Sequence, residues 1–173
     1  RTIRLKGKQI IYTIVLTVAA LLIIYLAAGP PLLMHYAEKL AGSGRDKDAQ
    51  AVYDRVAELF PYSSAAPIAL YHSAGYNAPS HYWLGSRFEE AGVVYIFPDF
   101  SSSFHGKQLS KTDVQSAIEK YKKLVEKYPA SRWAEHGLKQ LAAVYHYLGD
   151  YKNTEHYLME YKNRSRHSAA EGY

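Results

Sequence analysis

The chain has 173 residues, of which 48% are hydrophobic, and this length and composition suit one folded domain without a second globular unit. Its formal net charge is +5, but the basic residues are spread along the chain, and four of them lie in the first eight positions. This distribution argues against a nucleic-acid-binding surface. The chain contains no cysteine, which excludes disulfides, cysteine-type zinc sites and a lipidated N-terminal cysteine.

An uncharged apolar segment follows the basic N-terminal flank, residues 1–9. It covers residues 10–28 and corresponds to about 28 Å of α-helix, close to the thickness of a bilayer core. Tyr12 and Tyr25 lie near its two ends, where amphipathic rings suit the headgroup region. The sequence therefore predicts a transmembrane helix at 10–28.

The same pattern also satisfies a cleaved signal peptide. Two features favour an uncleaved signal anchor: the apolar run is longer than a typical signal core, and Pro30 is a poor fit just after a scissile bond. Four Lys or Arg residues precede the segment, whereas the first basic residue after it is Lys39. We therefore expect a single-pass protein of the cell membrane with a cytoplasmic N-terminus and an extracytoplasmic domain.

Two helices are expected over residues 30–63. Gly29-Pro30-Pro31 should interrupt the transmembrane helix, and a new helix should start at Pro31 and end at Gly42-Ser43-Gly44. Its partner should begin near Asp46 and end at Phe60-Pro61, because the residue before a proline resists helical dihedrals. The apolar residues at helical spacing are Leu33, Tyr36, Ala37 and Leu40 in the first helix and Ala49, Val52, Tyr53, Val56 and Leu59 in the second.

Residues 64–111 are less regular. A helix is predicted over 64–74, broken by the turn residues of 75–79. Periodicity alone allows Val93-Val94-Tyr95-Ile96-Phe97 to be a strand or the end of a buried helix. Because Phe97-Pro98 matches Phe60-Pro61, we predict a degenerate helix at about 80–96, followed by a loop at 101–106. Such an insertion either carries function or reflects simple drift in a structural repeat.

Residues 112–163 show the clearest helix signals. Thr112 and Gln115 have the spacing of a capping box, which predicts a helix over 113–127 that ends at Tyr128-Pro129. Ser131 is expected to cap a helix that extends to about Leu148. A last helix is predicted over 151–163, and the polar tail 164–173 is expected to be frayed.

Two of these stretches repeat each other at an offset of 68 residues, and 68 is twice 34, the period of the tetratricopeptide repeat. The order Leu138, Leu141-Ala142, Tyr145, Gly149 resembles the consensus of that family, and the aromatic-Pro-x-Ser endings are similar to repeats of bacterial envelope proteins. This resemblance implies an all-α fold, with one transmembrane helix followed by a short α-solenoid of antiparallel helix pairs with a degenerate middle repeat. The matched residues are Ala49/Ala117, Tyr53/Tyr121, Phe60/Tyr128, Pro61/Pro129 and Ser63/Ser131.

No catalytic chemistry is indicated by the motifs. His136, His146 and His156 lie ten positions apart and do not have the spacing of metal ligands on one helix, so no metal site is expected. A Gly-rich phosphate loop, a nucleophile elbow and paired carboxylates do not stand out either. We therefore expect a protein that is not an enzyme, has no catalytic residues and needs no cofactor.

The family resemblance implies a binding groove lined by the first helix of each pair. Aromatic and cationic side chains at the groove positions suit a protein segment, although a solvated helix face is the alternative for each residue. These positions are occupied here by Tyr71, His136, Lys139, Ala143, His146 and Tyr147.

The leading interpretation is a membrane-anchored scaffold for protein–protein interaction, an accessory subunit of a membrane or cell-envelope complex that binds no nucleic acid. One alternative is an extracytoplasmic carbohydrate-binding module in which the Tyr-rich insertion 75–111 touches glycan. Another is a cytosol-facing receptor of the organelle-import type, which the charges flanking the apolar segment disfavour.

Overall fold

The computed structural model describes residues 2–78, 87–90, 93–96 and 110–170, with side chains over 9–78 and 110–165. This part of the chain is predominantly helical, as predicted, and begins with one long apolar helix. The elements in chain order are α1 Thr2–Gly42, α2 Asp46–Leu59, α3 Ala65–Gly75, β1 Arg87–Glu90, β2 Val93–Ile96, α4 Lys111–Lys127, α5 Arg132–Tyr147 and α6 Tyr151–Ala170.

Helix α1 continues through Pro30 and Pro31 without a break, so the predicted interruption is wrong. Each proline removes one intrahelical hydrogen bond and disfavours the helix locally. Packing offsets this cost, because Pro30 is buried and the next turns bury Ala37 and Leu40 in the core. The predicted membrane segment and the first helix of the folded domain are therefore one continuous helix.

The first part of α1 has the surface of a membrane span. Its large apolar side chains from Ile10 to Leu26 leave between 50% and 69% of their surface exposed. Within the described residues, α1 is the one helix long and apolar enough to cross a membrane, over Gln9–Gly42.

Three helix pairs follow one another along the chain. The end of α1 packs on α2, α3 packs on α4, and α5 packs on α6. Gly44 and Gly149, with φ of 75° and 73°, reverse the chain within the first and third pairs, as expected for glycine after a helix end. Helix α1 also contacts α3, and α3 contacts α5, so these three helices share one side of the molecule.

The internal repeat seen in the sequence reappears in the backbone. Phe60 after α2 and Tyr128 after α4 have nearly the same dihedral angles, φ −126° and ψ 53° against φ −127° and ψ 53°. The Tyr128 hydroxyl donates a hydrogen bond of 2.8 Å to the Pro61 carbonyl. One pair further on, Arg164 Nη1 donates to the Pro129 carbonyl at 3.3 Å. Each corner is thus joined to the next pair, the first by the residue after α4 and the second by a residue within α6.

The offset of 68 residues covers one helix of the described residues, α3, and a further segment. The matching residues lie in α2 and α4, and α3 is the only helix between them in the described residues. The remaining length is the segment between Gly75 and Lys111. Within the described residues, α2 and α4 are therefore the second helices of successive pairs, with β1 and β2 between α3 and α4.

The described part of this segment is a β-hairpin rather than a helix. Strands β1 and β2 are antiparallel, with Arg87 opposite Ile96 and Glu90 opposite Val93. The predicted helix at 80–96 is wrong over these strands, because the β-branched pair Val93-Val94 favours extended structure and the match to Phe60-Pro61 was misleading. The predicted loop at 101–106 lies outside the described residues.

Helix ends agree with the sequence in some places and differ in others. Ser131 caps α5 as predicted, with its Oγ accepting from the Trp133 backbone N–H at 3.1 Å. The capping box of α4, however, is formed by Ser110 and Asp113 rather than by Thr112 and Gln115, because the short Asp113 side chain accepts from the Ser110 backbone at 3.0 Å. Helix α6 runs to Ala170, so the tail is helical beyond 163.

One hydrophobic core joins α1 through α5 and is extended by α6. Leu59, one of the apolar residues at helical spacing in α2, is outside this core and 55% exposed. The core contains small residues such as Ala49 and Ala117, and aromatic rings such as Tyr53 and Tyr121. Its largest fully buried side chains are Tyr121, Leu124, Leu138, Leu141, Leu158, Val56 and Val144.

Candidate functional site

The six predicted groove residues lie in three different places. Tyr71 and His136 meet between α3 and α5, with ring centroids 6.0 Å apart. Lys139 and Ala143 face α6: Lys139 Nζ lies 4.5 Å from the Tyr161 ring centroid, and Ala143 is buried in a small cluster with Leu158. The other two, His146 and Tyr147, lie in the last turn of α5. His136, Lys139 and Ala143 lie along one face of α5, but Ala143 and Tyr71 are buried, so the six residues do not line one open groove.

The first of these places is an aromatic–histidine cluster, formed by Tyr71, His72, Tyr121, Trp133 and His136. The Trp133 ring is central, with centroids 5.0 Å from Tyr71, 5.8 Å from His72 and 5.6 Å from His136. Tyr121 of α4 closes the buried side, 5.8 Å from Tyr71. The cluster thus connects α3, α4 and α5.

Local sequence explains how these side chains converge. The Ser131 cap starts α5, so Trp133 and His136 fall at i and i+3 and lie on one face of its first turns. In α3 the consecutive residues Tyr71 and His72 diverge. Tyr71 enters the core, whereas the His72 ring stacks on Tyr53 of α2 at 5.3 Å.

Burial determines the protonation of the cluster. It raises the pKa of Tyr71 to about 12, against the opposing effect of the hydrogen bond that Gln140 donates to its hydroxyl at 3.4 Å. Burial also lowers the pKa of His72, although Glu38 acts in the opposite direction. The pKa of His136 is lowered by burial and then by the charges of Lys139 and Arg132. Both imidazoles are therefore neutral at neutral pH, with one nitrogen that donates and one that accepts.

The solvent edge of the cluster offers contacts of several kinds. Trp133, His72 and His136 are each partly exposed. The Arg132 guanidinium lies 5.2 Å from the Trp133 ring centroid, which places a cation over the aromatic face. Such an edge can bury an apolar or aromatic side chain while its nitrogens bond to backbone groups, which is the chemistry of a protein contact.

A second cluster is polar and connects α2, α3 and α4. Lys120 Nζ lies 2.9 Å from Asp54 Oδ2 and 2.7 Å from Ser73 Oγ, and Ser73 Oγ donates to Asp54 Oδ1 at 2.6 Å. A serine beside a lysine can form a nucleophilic pair. Here Ser73 is wholly buried and Lys120 is ion-paired with Asp54, so a substrate cannot reach the serine hydroxyl. We assign this cluster to holding consecutive helix pairs together.

Sequence reasoning missed the residues at the centre of both clusters. Trp133 and His72 fall outside the family's groove positions, although Trp133 follows directly from the predicted Ser131 cap. Asp54 and Lys120 are 66 positions apart, and no local spacing connects them. Among the residues that the structure describes, no group of three or more His, Asp or Glu side chains is arranged to hold a metal ion.

Comparison with known proteins assigns no family to the chain. It matches no family model, no curated protein and no solved structure.

Proposed function

We propose that this protein is a membrane-anchored helical scaffold that docks a segment of another membrane or envelope protein on its aromatic–histidine cluster. Its action is binding alone, and we place it as an accessory subunit of a complex. The apolar half of α1 serves as the anchor, and the three helix pairs serve as a short tetratricopeptide-like solenoid. The four basic residues before the span favour a cytoplasmic N-terminus and an extracytoplasmic solenoid.

The observation that carries the proposal is the partly exposed edge of this cluster. There Trp133 of α5 packs against Tyr71 of α3, and the two helices contact each other. Tryptophan and arginine are the residue types that contribute most at protein interfaces. Arg132 and Trp133 are adjacent, and helices α3 and α5 hold the surrounding rings in fixed positions. This is a preformed contact surface rather than an enclosed cavity.

The arrangement of the helix pairs supports the solenoid interpretation. Helices pack mainly on their neighbours along the chain, as in repeat proteins whose stability comes from contacts between adjacent repeats. Three pairs are near the minimum number for a stable array. The outer face of a short array is a surface that a partner subunit can cover.

Site-specific photocrosslinking tests the docking site. A photoreactive amino acid replaces His136 at the cluster edge in the full-length chain, and a matched chain carries it at Lys123, an exposed residue of α4. After irradiation of native membranes, we expect a discrete protein adduct from position 136 and none from position 123. Adducts of equal yield from both positions, or from neither, would contradict docking on this surface.

The carbohydrate alternative concerns residues 75–111, and most of that segment lies outside the described residues. The organelle-receptor alternative requires the opposite topology of the same anchor. Neither has a specific observation in its favour.

A further inference from the structure

The corner between α2 and α3 lies beside the end of the apolar segment of α1. Helix α2 runs back along α1, and Phe60, the residue after α2, packs on the apolar segment: the Phe60 and Tyr25 ring centroids are 5.2 Å apart. A Cβ atom added to Gly29 would lie 2.8 Å from Phe60 Cζ, so ring and helix are in direct contact there. This corner is therefore level with residues 25–29, where the predicted span ends.

Other chain reversals lie on the same side of the array. The corner after α4 is joined to the α2–α3 corner by the hydrogen bond from the Tyr128 hydroxyl to the Pro61 carbonyl. Arg164 of α6 then bonds to the Pro129 carbonyl. We call this row of corners, Leu59–Ser63 and Tyr128–Ser131, the span-side edge. Helix α1 continues from the apolar segment into the first helix pair without a break. The span-side edge therefore lies at the end of the array from which the apolar segment extends.

The exposed side chains of the span-side edge nearest α1 are apolar or aromatic. Tyr62 is fully exposed, Leu59 is 55% exposed, and Tyr25 on α1 is 50% exposed. These side chains continue the exposed apolar surface of α1 beyond its span. In water such a surface is unfavourable, whereas tyrosine is enriched at membrane interfaces, where its ring and hydroxyl meet different media.

We infer that Leu59 and Tyr62 lie in the headgroup interface of the bilayer that α1 crosses. This inference rests on the membrane anchoring in the proposed function, and the occupant it commits to is the lipid surface. Continuity with the apolar face of α1 is the argument for that occupant. Helix α1 and the α2–α3 corner then give the array two contacts with one membrane, which fix its orientation.

The orientation also locates the docking surface. Trp133 lies two residues after Ser131, in the first turn of α5 next to the span-side edge. The aromatic–histidine cluster therefore opens close to the membrane. The partner segment that it suits is a juxtamembrane segment of another membrane protein.

Depth-dependent fluorescence quenching tests the membrane contact. Because these 173 residues contain no cysteine, single cysteines can be introduced into them without background. We would label Leu59→Cys, Tyr62→Cys, Leu148→Cys and Leu16→Cys chains with a polarity-sensitive fluorophore and reconstitute each full-length chain in phosphatidylcholine vesicles. Lipids carrying a nitroxide near the headgroup or deep in the acyl chain then serve as quenchers.

The matched control is Leu148, which is 50% exposed at the α5–α6 turn on the opposite side of the array. We expect the shallow nitroxide to quench the labels at 59 and 62 several-fold more than the label at 148, and the deep nitroxide to quench the label at 16. Quenching at 16 with equal, weak quenching at 59, 62 and 148 would overturn the interface contact but leave the anchor. Absence of quenching at 16 would overturn both the anchor and the contact.

Discussion

At the scale of single residues, the most informative feature is a pair of neutral histidines in an aromatic cluster. His72 lies between Tyr53 and Trp133, and His136 lies against Trp133 with Lys139 and Arg132 nearby. Protonating either ring introduces a charge into a partly buried, partly cationic site. The cluster that forms the candidate contact surface is therefore also expected to lower the stability of the fold at acidic pH.

The pH dependence of stability follows from the lowered pKa values of His72 and His136. Their usual pKa is about 6.5, and it is lower in the folded chain, so the unfolded chain binds more protons once the pH falls below that value. The contribution of the neutral rings to stability is therefore complete above about pH 6.5 and is lost progressively as the pH falls below it.

We expect the melting temperature of the full-length chain in detergent to fall between pH 7.5 and pH 5.5, a window of about one unit on either side of the usual histidine pKa. Circular dichroism measures it. A His72→Gln/His136→Gln chain should show a smaller fall over this range, and His35→Gln, which changes an exposed histidine outside the cluster, is the comparison. A fall of the same size in the double variant as in the wild type would contradict this assignment.

At the scale of helices and strands, the sequence predicted elements whose signals are local. Helices α2, α4 and α5 have an apolar stripe bounded by Pro, Ser or Gly, and their bounds agree with the predictions within about two residues. The errors came where tertiary contacts or extended structure outweighed a local rule. Packing keeps α1 helical through Pro30-Pro31, and strand pairing replaces the helix expected at 80–96.

The candidate site was predictable only in part, for the same reason. Tyr71 and His136 were identified because they occupy family groove positions. Trp133 was missed because it is not at a family groove position, and a tryptophan at the start of a helix does not by itself indicate a binding site. The connection of Asp54, Ser73 and Lys120 depends on how helices from successive pairs are placed, which no local pattern records.

The Lys120 cluster makes a prediction about coupling between helices. Lys120→Met keeps the aliphatic stem but leaves Asp54 and Ser73 without the ammonium group. We therefore expect the free energy of unfolding to fall by about 1–2 kcal/mol. The loss is limited because Asp54 is partly exposed to solvent. A double-mutant cycle with Asp54→Asn in chemical denaturation should show a coupling of about 1 kcal/mol.

The exposed pair Arg45–Asp48, 2.7 Å apart within one helix turn, is the matched control for this cycle. Its coupling should be below about 0.5 kcal/mol, because solvent screens it and it joins no separate helices. If the Lys120–Asp54 coupling were no larger than that of the control pair, the cluster would not hold the pairs together.

At the scale of the whole molecule, one continuous helix serves two purposes. Its first part has the exposed apolar surface of a membrane span, and its last turns are half of the first helix pair. Two further pairs then stack beside the first, and a side-chain hydrogen bond to a backbone carbonyl joins each corner to the next pair. With the anchoring and docking proposed above, this architecture holds the contact surface at a defined place beside the membrane, as a docking scaffold requires.

Purification of the full-length chain from its native membrane in mild detergent, with mass spectrometry of what accompanies it, tests the scaffold most directly. The comparison chain is Trp133→Ala/Arg132→Ala, checked by circular dichroism for retained helix content. We predict that a membrane or envelope protein accompanies the wild-type chain in stoichiometric amount and is lost from the comparison chain. A wild-type chain that purifies without any companion, or a companion retained in full by the folded comparison chain, would contradict docking through this surface.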